Sequence, residues 1–460
     1  MRRVRNIHFV GIGGAGMCGI AEVLIHQGYE VTGSDLIASS VTDRLMRLGA
    51  KVQIGHQARN VDDADVLVVS SAVGDENVET REAHIRRIPV VSRAGMLGEL
   101  MRHRYGIAIA GTHGKTTVTS LIASIFQAAE LDPTYVIGGL LKSEGSNARL
   151  GLSRYFIAEA DESDASFLFL NPMMGVITNI DRDHLGTYSH DYQALLEAFK
   201  EFVHRLPFYG LVVLCVDDEG ICSIIDDIPR PMLTYGLSKE ADFRAVDVEH
   251  SDSKCRFRAM RPGALPPLNV ETCLPGDENT RNVLAAIAVA TDEGIADEFI
   301  VRGLVNFSGI DRRFDVSSVD IGGRRVTMID DYGHHPTEVQ HIVETVNTIF
   351  PGRRLVMVYQ PHRFTRTRDL FDDFVQVLTA VDLLILVDTY AASEEAICGA
   401  SGRDLAEAIQ ATGLVPVHFA GVPQQAVEIV SQVTEQNDVL AIQGAGSIDQ
   451  VSEQLRALAA

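Results

Sequence analysis

No apolar run in the 460 residues approaches the roughly 18 that a membrane-spanning helix needs. Arg2, Arg3 and Arg5 are followed by Gly11, Gly13, Gly14 and Gly16, which break up anything like a secretion signal. Cysteine is scarce. Cys18, Cys215, Cys222, Cys255, Cys273 and Cys398 lie far apart, with neither paired metal spacing nor a disulfide framework. That pattern fits small core residues in a reducing compartment, and the cytoplasm is the expected location. Positive charge is also short: 40 Lys and Arg against 62 Asp and Glu give a net charge of −22. So acidic a chain argues against a nucleic-acid partner or an anionic membrane surface. Low-complexity tracts are missing too, and 46% hydrophobic with 22% charged residues is a globular composition. The length exceeds one ordinary core and predicts about three domains.

Against those absences stands Gly111-Thr112-His113-Gly114-Lys115-Thr116-Thr117. Ile107-Ala108-Ile109-Ala110 before it reads as a buried strand, and Val118 to Ala129 after it as a helix. The glycines let backbone close around phosphate oxygens, Lys115 adds a point charge, and Thr116 is placed to hold Mg²⁺. ATP use follows. The general phosphate-loop pattern has a glycine five residues before Gly114, where this chain has Ile109, so the loop is of a shorter type.

At the N-terminus, the strand Asn6 to Val10 runs into Gly11-Ile12-Gly13-Gly14-Ala15-Gly16, spaced G-x-G-x-x-G. A helix follows from about Met17, then a second strand ending at Ser34-Asp35, the acid expected about 20 positions on. Gly11 is read as the tight turn, Gly13 as the approach to a diphosphate and Gly16 as helix–strand packing. Ser70 and Ser71 end a third strand. The reading is a doubly wound sheet for a dinucleotide or another diphosphate; NAD and UDP present the same pyrophosphate.

In the central stretch, Tyr155-Phe156-Ile157-Ala158-Glu159 is a strand ending in a carboxylate, and Glu159 is expected at Mg²⁺. Asp161, Ser163 and Asp164 read as caps of the next turn. His184 follows another strand; alone it reads as a turn residue, and beside this loop as a second metal ligand. Asn279 and Asn282 either cap the alanine-rich helix that follows or contact a nucleotide. Arg312-Arg313 reads as a hinge with one arginine able to reach a phosphate. Further on, Pro336 opens a helix after His334-His335, with Thr337 and Gln340 at capping-box spacing. His362, Arg363, Arg366 and Arg368 form either an anion trap or a run of ion pairs with Asp369, Asp372 and Asp373.

Taken together, GIGGAGM at 11–17, GTHGKTT at 111–117, EADESDASF at 159–167, and DDYGHHPTEV with QPHRFTRT at 330–339 and 360–367 resemble the Mur ligase family over nearly the whole chain. The likeness is to its alanine-adding type, with a tripeptide-recycling sister type as the alternative. The resemblance implies an α/β protein of three domains. An N-terminal Rossmann-like domain at 1–104 would bind the UDP-sugar. A central P-loop mononucleotide-binding α/β domain at 105–313 would bind ATP, and a C-terminal Rossmann-like domain at 314–460 the amino acid. It implies ATP-dependent ligation of L-alanine to UDP-N-acetylmuramate through an acyl phosphate, in peptidoglycan precursor synthesis. Lys115 matches the lysine on the β- and γ-phosphates; Thr116, Glu159 and His184 match metal-site residues. Asn279 and Asn282 match nucleotide-site asparagines, and Arg313 an arginine near the transferred phosphate. His334, His362, Arg363 and Arg366 match the region holding alanine and the reacting carboxylate. Glu278 departs from the pattern, standing where the family has histidine.

Overall fold

The structure, a computed structural model, describes all residues except Arg2, Ser71, Ala72, Asp75, 143–145, Asp252, Ser253, Ser393, Ala459 and Ala460; for Ala15 and Leu140 it describes the backbone alone. The Ser71 expectation therefore lies outside the described residues.

The first sheet holds Asn6–Val10 (β1), Glu30–Asp35 (β2), Lys51–Ile54 (β3), Val66–Val69 (β4) and Val90–Ser92 (β5), all parallel, in the order β3-β2-β1-β4-β5. Helices Ala15–His26 (α1), Ser40–Leu48 (α2), Val78–Arg86 (α3) and Arg93–Met101 (α4) connect the strands. β1 is buried at every position but its first and mostly apolar, as suits a strand covered on both faces. Strand order reverses between β1 and β4, and a doubly wound sheet opens its ligand crevice at that point.

The second sheet is ten-stranded, in the order β15-β14-β13-β12-β11-β10-β6-β9-β7-β8. It comprises Tyr105–Ala110 (β6), Thr134–Leu141 (β7), Ser146–Arg149 (β8), Tyr155–Glu159 (β9), Met174–Ile177 (β10), Leu211–Cys215 (β11), Met232–Gly236 (β12), Phe243–Ser251 (β13), Lys254–Met260 (β14) and Leu268–Thr272 (β15). Its helices are Lys115–Ala128 (α5), Tyr192–His204 (α6), Glu219–Ile224 (α7), Asp277–Asp292 (α8) and Asp297–Asn306 (α9). Central β6 pairs in parallel with β10 and β9, and α5 leaves its carboxyl end almost wholly buried. α9 lies close along α5: a Cβ on Gly303 would sit 2.5 Å from the Ile125 Cα, and Ser124 Oγ donates to the Gly303 carbonyl at 2.8 Å.

In the third sheet Asp315–Ile321 (β16) is antiparallel to Arg324–Asp331 (β17), while Leu355–Tyr359 (β18), Leu383–Val387 (β19), Val417–Ala420 (β20) and Val439–Gln443 (β21) run parallel in the order β16-β17-β21-β18-β19-β20. Apolar clusters cover both of its faces. They involve Pro336–Ile349 (α10), Phe371–Leu378 (α12) and Gly402–Thr412 (α13) on one face, and Pro423–Val433 (α14) and Asp449–Leu458 (α15) on the other; the short Phe364–Asp369 (α11) precedes α12. One expectation here is corrected. Pro336 does open α10, but the capping box is His335 with Glu338, not Thr337 with Gln340.

Three sheets flanked by helices make this an α/β protein. The contacts divide the chain into two compact units, one of 1–248, 257–271 and 281–308 and the other of 249–256, 272–280 and 309–460. No helix among the described residues is long and apolar enough to cross a membrane.

Candidate active site

Between β6 and α5 the chain turns through Gly111 at φ +130° and Gly114 at φ +81°, a backbone that side-chain-bearing residues rarely adopt. A Cβ on Gly114 would also lie 2.5 Å from Asn282 Oδ1, so Asn282 on α8 backs the loop and does not cap its own helix. Asn279 donates instead to the Pro275 carbonyl at 2.9 Å. The segment after β10 braces the loop from the other side. Thr178 Oγ1 and Asn179 Nδ2 donate to the His113 carbonyl at 2.5 and 3.1 Å, the His113 N–H donates to Asn179 Oδ1 at 2.8 Å, and the Asp181 N–H to Thr112 Oγ1 at 2.9 Å. The His113 ring meets Asp181 at 3.0 Å. α5 begins at Lys115, and Thr116 and Thr117 form its buried first turn, where unpaired N–H groups favour an anion.

Lys115 Nζ donates to the Gly111 carbonyl, to the Thr112 carbonyl at 3.0 Å and to Glu162 Oε2 at 2.7 Å. Burial alone would lower its pKa, but the carboxylates of Glu162, Asp161 and Glu159 outweigh it and raise the value. Burial pushes Glu162 up to about 7 although Lys115 pulls the other way. Asp161, also penalised by burial, is held at about 2 by Lys115, Arg93 and the Ser163 hydrogen bonds. Glu162 is a residue that sequence reasoning missed; its only local signal was membership of the acidic stretch after β9.

Glu159 ends β9 beside Ile109 in register, and accepts the Gly138 N–H at 2.6 Å. Asp161 and Asp164 accept the N–H groups of Ser163 and Ser166, closing the turn. His184 begins a short 3-10 helix, its Nε2 3.2 Å from Asp183 Oδ2. Thr187 Oγ1 and Tyr188 Oη in that helix donate to the Ser163 and Glu162 carbonyls at 2.6 and 2.5 Å, which ties the His184 segment to the turn carrying Glu162.

At the first glycine loop, Gly11 and Ile12 donate to the Ser34 carbonyl, and Asp35 accepts the Gly13 N–H at 2.8 Å. Asp35 thus caps the loop from within. Ser70 stands beside Gly11, its Cβ 3.7 Å from where one on Gly11 would be, and Gly14 donates back to the Gly11 carbonyl at 3.2 Å. The part expected of Gly16 is corrected: a Cβ there would lie 2.6 Å from an Arg93 guanidinium nitrogen, so its smallness admits that arginine, not a strand. Arg93 reaches on to Asp161 at 3.0 Å and so links the first glycine loop to the turn after β9 within this unit.

In the second unit, His334 and His362 face one another with ring centres 5.5 Å apart; Tyr390 stacks on His362 at 5.6 Å, and Tyr332 meets His334 edge-on at 5.9 Å. Arg366, buried, lies 3.1 Å from the His362 carbonyl and 3.3 Å from its Nδ1. Arg363 is half-exposed, 3.8 Å from Glu394. Arg368 leaves the cluster by pairing with Asp369 at 2.7 Å. Arg313 lies over the Tyr332 ring at 5.3 Å and 3.8 Å from Glu338, whereas Arg312 is built in, bonded to Asp330 and the Gly444 carbonyl. Burial raises the pKa of Asp331, which accepts N–H groups from Phe314 and Gly333. The acids at the end of β17 thus fix the 312–314 segment.

Residues 6–105 match the catalytic-domain model of the Mur ligase family, 109–290 its middle domain and 312–446 its glutamate ligase domain. Among solved structures, the chain is similar to a UDP-N-acetylmuramate–alanine ligase from Thermotoga maritima, at 26% identity and TM-score 0.83, covering 98% of each chain. It shares its fold with a murein peptide ligase from Psychrobacter arcticus, at 21% identity and TM-score 0.73 over 98% of each. It also shares it with a MurF ligase from Thermotoga maritima in complex with ADP, at 15% identity and TM-score 0.63 over 93% of this chain and 94% of that one.

Proposed function

The chain belongs to the Mur ligase family, whose members carry out ATP-dependent ligations that build peptidoglycan precursors, and we propose that it joins L-alanine to the lactyl carboxylate of UDP-N-acetylmuramate in the cytoplasm. The observation that carries this reading is Lys115, seated at the head of α5 in a loop braced by Asn179 and Asn282. Full-length likeness to an alanine-adding enzyme supports the choice of amino acid. The assigned domains are 1–104 for the uridine nucleotide, 105–313 for ATP and 314–460 for the amino acid.

In the proposed reaction a lactyl carboxylate oxygen attacks the γ-phosphorus of ATP and ADP leaves. Alanine's amine then attacks the acyl carbon, loses a proton and expels phosphate. Phosphoryl transfer requires mainly positioning and neutralisation of charge. Lys115 and the N–H groups of the Gly111–Thr117 segment supply these on the nucleotide side. Gly11, Gly13, Gly14 and Ser70 are assigned to the uridine diphosphate, with Asp35 and Gly16 shaping the loop that would receive it. His334, His362, Arg363 and Arg366 are assigned to alanine and the reacting carboxylate, and Arg313 to the transferred phosphate. Thr116 and Glu159 offer the hard oxygen ligands Mg²⁺ prefers, and Asp183 gives His184 the kind of carboxylate partner that orients a metal-binding imidazole. When bound there, Mg²⁺ would neutralise phosphate charge.

Phosphate release from ATP with UDP-N-acetylmuramate, measured against a panel of amino acids and a tripeptide, tests the proposal. Alanine is expected to drive release, and K115A to abolish it while leaving sugar-nucleotide binding intact. Release that ignores the sugar nucleotide would refute ligation. Preference for the tripeptide would favour the recycling reading, which full-length fold likeness to a murein peptide ligase also supports.

A further inference from the structure

An ammonium group has three hydrogens to donate, and those of Lys115 all point at the protein: at the Gly111 carbonyl, the Thr112 carbonyl and Glu162 Oε2. Two of these partners belong to the phosphate loop itself. The third comes from the turn after β9, 47 positions along the chain. Glu162 is 1% exposed, and its second oxygen, Oε1, is buried with no hydrogen-bond partner. Such a carboxylate is costly to bury, and Lys115 is the partner that offsets the cost. The Tyr188 hydroxyl fixes the turn by donating to the Glu162 carbonyl, so the carboxylate cannot follow the lysine far.

A phosphate oxygen arriving at Lys115 must take over one of those three hydrogens, and an anion arriving next to Glu162 meets a like charge. We propose that Glu162 is a positioning residue that parks the phosphate-loop lysine until the terminal phosphates of a nucleotide displace it. This rests on the reading of Gly111–Thr117 as the ATP site. Displacement trades one anionic partner for another, so the buried ammonium is never left unpaired. It also discriminates among nucleotides. ATP and ADP carry phosphates able to reach Lys115, whereas AMP does not extend to it and leaves the lysine parked.

E162Q preserves size and an acceptor oxygen while removing the charge, and E162D keeps the charge but draws it back by one methylene. Titration calorimetry of the full chain with ATP and with AMP is the test, with thermal melting as a check on folding. E162Q is expected to bind ATP about tenfold tighter than wild type, the scale of one hydrogen bond to a charged group. AMP affinity should stay unchanged, and E162D should fall between wild type and E162Q for ATP. If E162Q does not fold, the direction of the E162D change decides. Equal or weaker ATP binding in a folded variant overturns the proposal, as does an AMP shift as large as the ATP shift. A wild-type chain that binds no ATP overturns the nucleotide-site reading and the parked lysine with it, a result distinct from an unchanged affinity in the variants.

Discussion

Glu79 in the first turn of α3 is fully buried and carries much of the first sheet's polar bonding. Its oxygens accept from Ser34 Oγ and Asn60 Nδ2, both at 2.5 Å, and from the Gln57 N–H at 3.1 Å; His8 and His56 lie 3.5 Å away. Burial pushes the pKa up, but nearby His8 and the bonds from Ser34, Asn60 and Gln57 outweigh it and hold the carboxyl at about 2, against an ordinary 4.5. A depressed native pKa stabilises the fold above 4.5, and that stability is lost as pH falls towards 2. The difference corresponds to about 3 kcal/mol at pH 7, an upper value, of which about 2 kcal/mol is gone by pH 3. E79Q imitates the neutral acid. Its urea-unfolding free energy should fall by about 2–3 kcal/mol at pH 7, and the gap to wild type should narrow steadily as pH falls from 4.5 towards 2. A loss below about 0.5 kcal/mol at pH 7, the scatter of ordinary surface changes, would contradict this role of Glu79. So would a gap independent of pH.

Two backbone approaches give further expectations. G114A places a methyl in a left-handed backbone and against Asn282, so ATP affinity should drop by at least about tenfold, from about 1–2 kcal/mol of conformational strain plus the clash. Calorimetry showing wild-type ATP affinity would refute it; sugar-nucleotide binding should not change. G303V drives a side chain into the Ile125 backbone and should destabilise the fold by about 1–3 kcal/mol through overpacking. An unshifted urea midpoint would count against the close packing of α9 on α5.

The elements that the sequence disclosed are those whose cause is local. β1 was legible residue for residue because a mostly apolar run meets a glycine turn. β13 and β14 gave no such signal. They bury alternate positions among charges, as in Phe243, Ala245, Cys255 and Phe257, a period-two pattern in place of an apolar run. The box at α10 was misplaced because Thr337 is the better capping residue by propensity, yet His335 occupies the site. Glu162 was invisible for a different reason. Nothing within its own stretch separates it from Glu159, Asp161 and Asp164; what does is a lysine 47 positions away, brought near by the pairing of β6 with β9. Gly16 likewise has its explanation in Arg93, on another helix.

A chain of charge −22 that handles anionic nucleotides has to attract them locally, and the structure shows how little net positive charge it sets aside for this. Around the phosphate loop, Lys115 and Arg93 are already paired, with Glu162 and with Asp161, and Glu159 and Asp164 add further negative charge in the same turn. The cations are therefore not an open positive surface waiting for phosphate. What the loop offers unconditionally is its dipoles, the N–H groups at the head of α5, which no titration or ion pair removes. Binding at such a site proceeds by exchange of partners. A carboxylate excess beside the incoming phosphates is also a physical reason for a divalent cation to accompany the nucleotide in the proposed reaction. Under the parked-lysine proposal, only a nucleotide whose phosphates extend to Lys115 can take it from its carboxylate, so affinity is expected to depend on phosphate chain length.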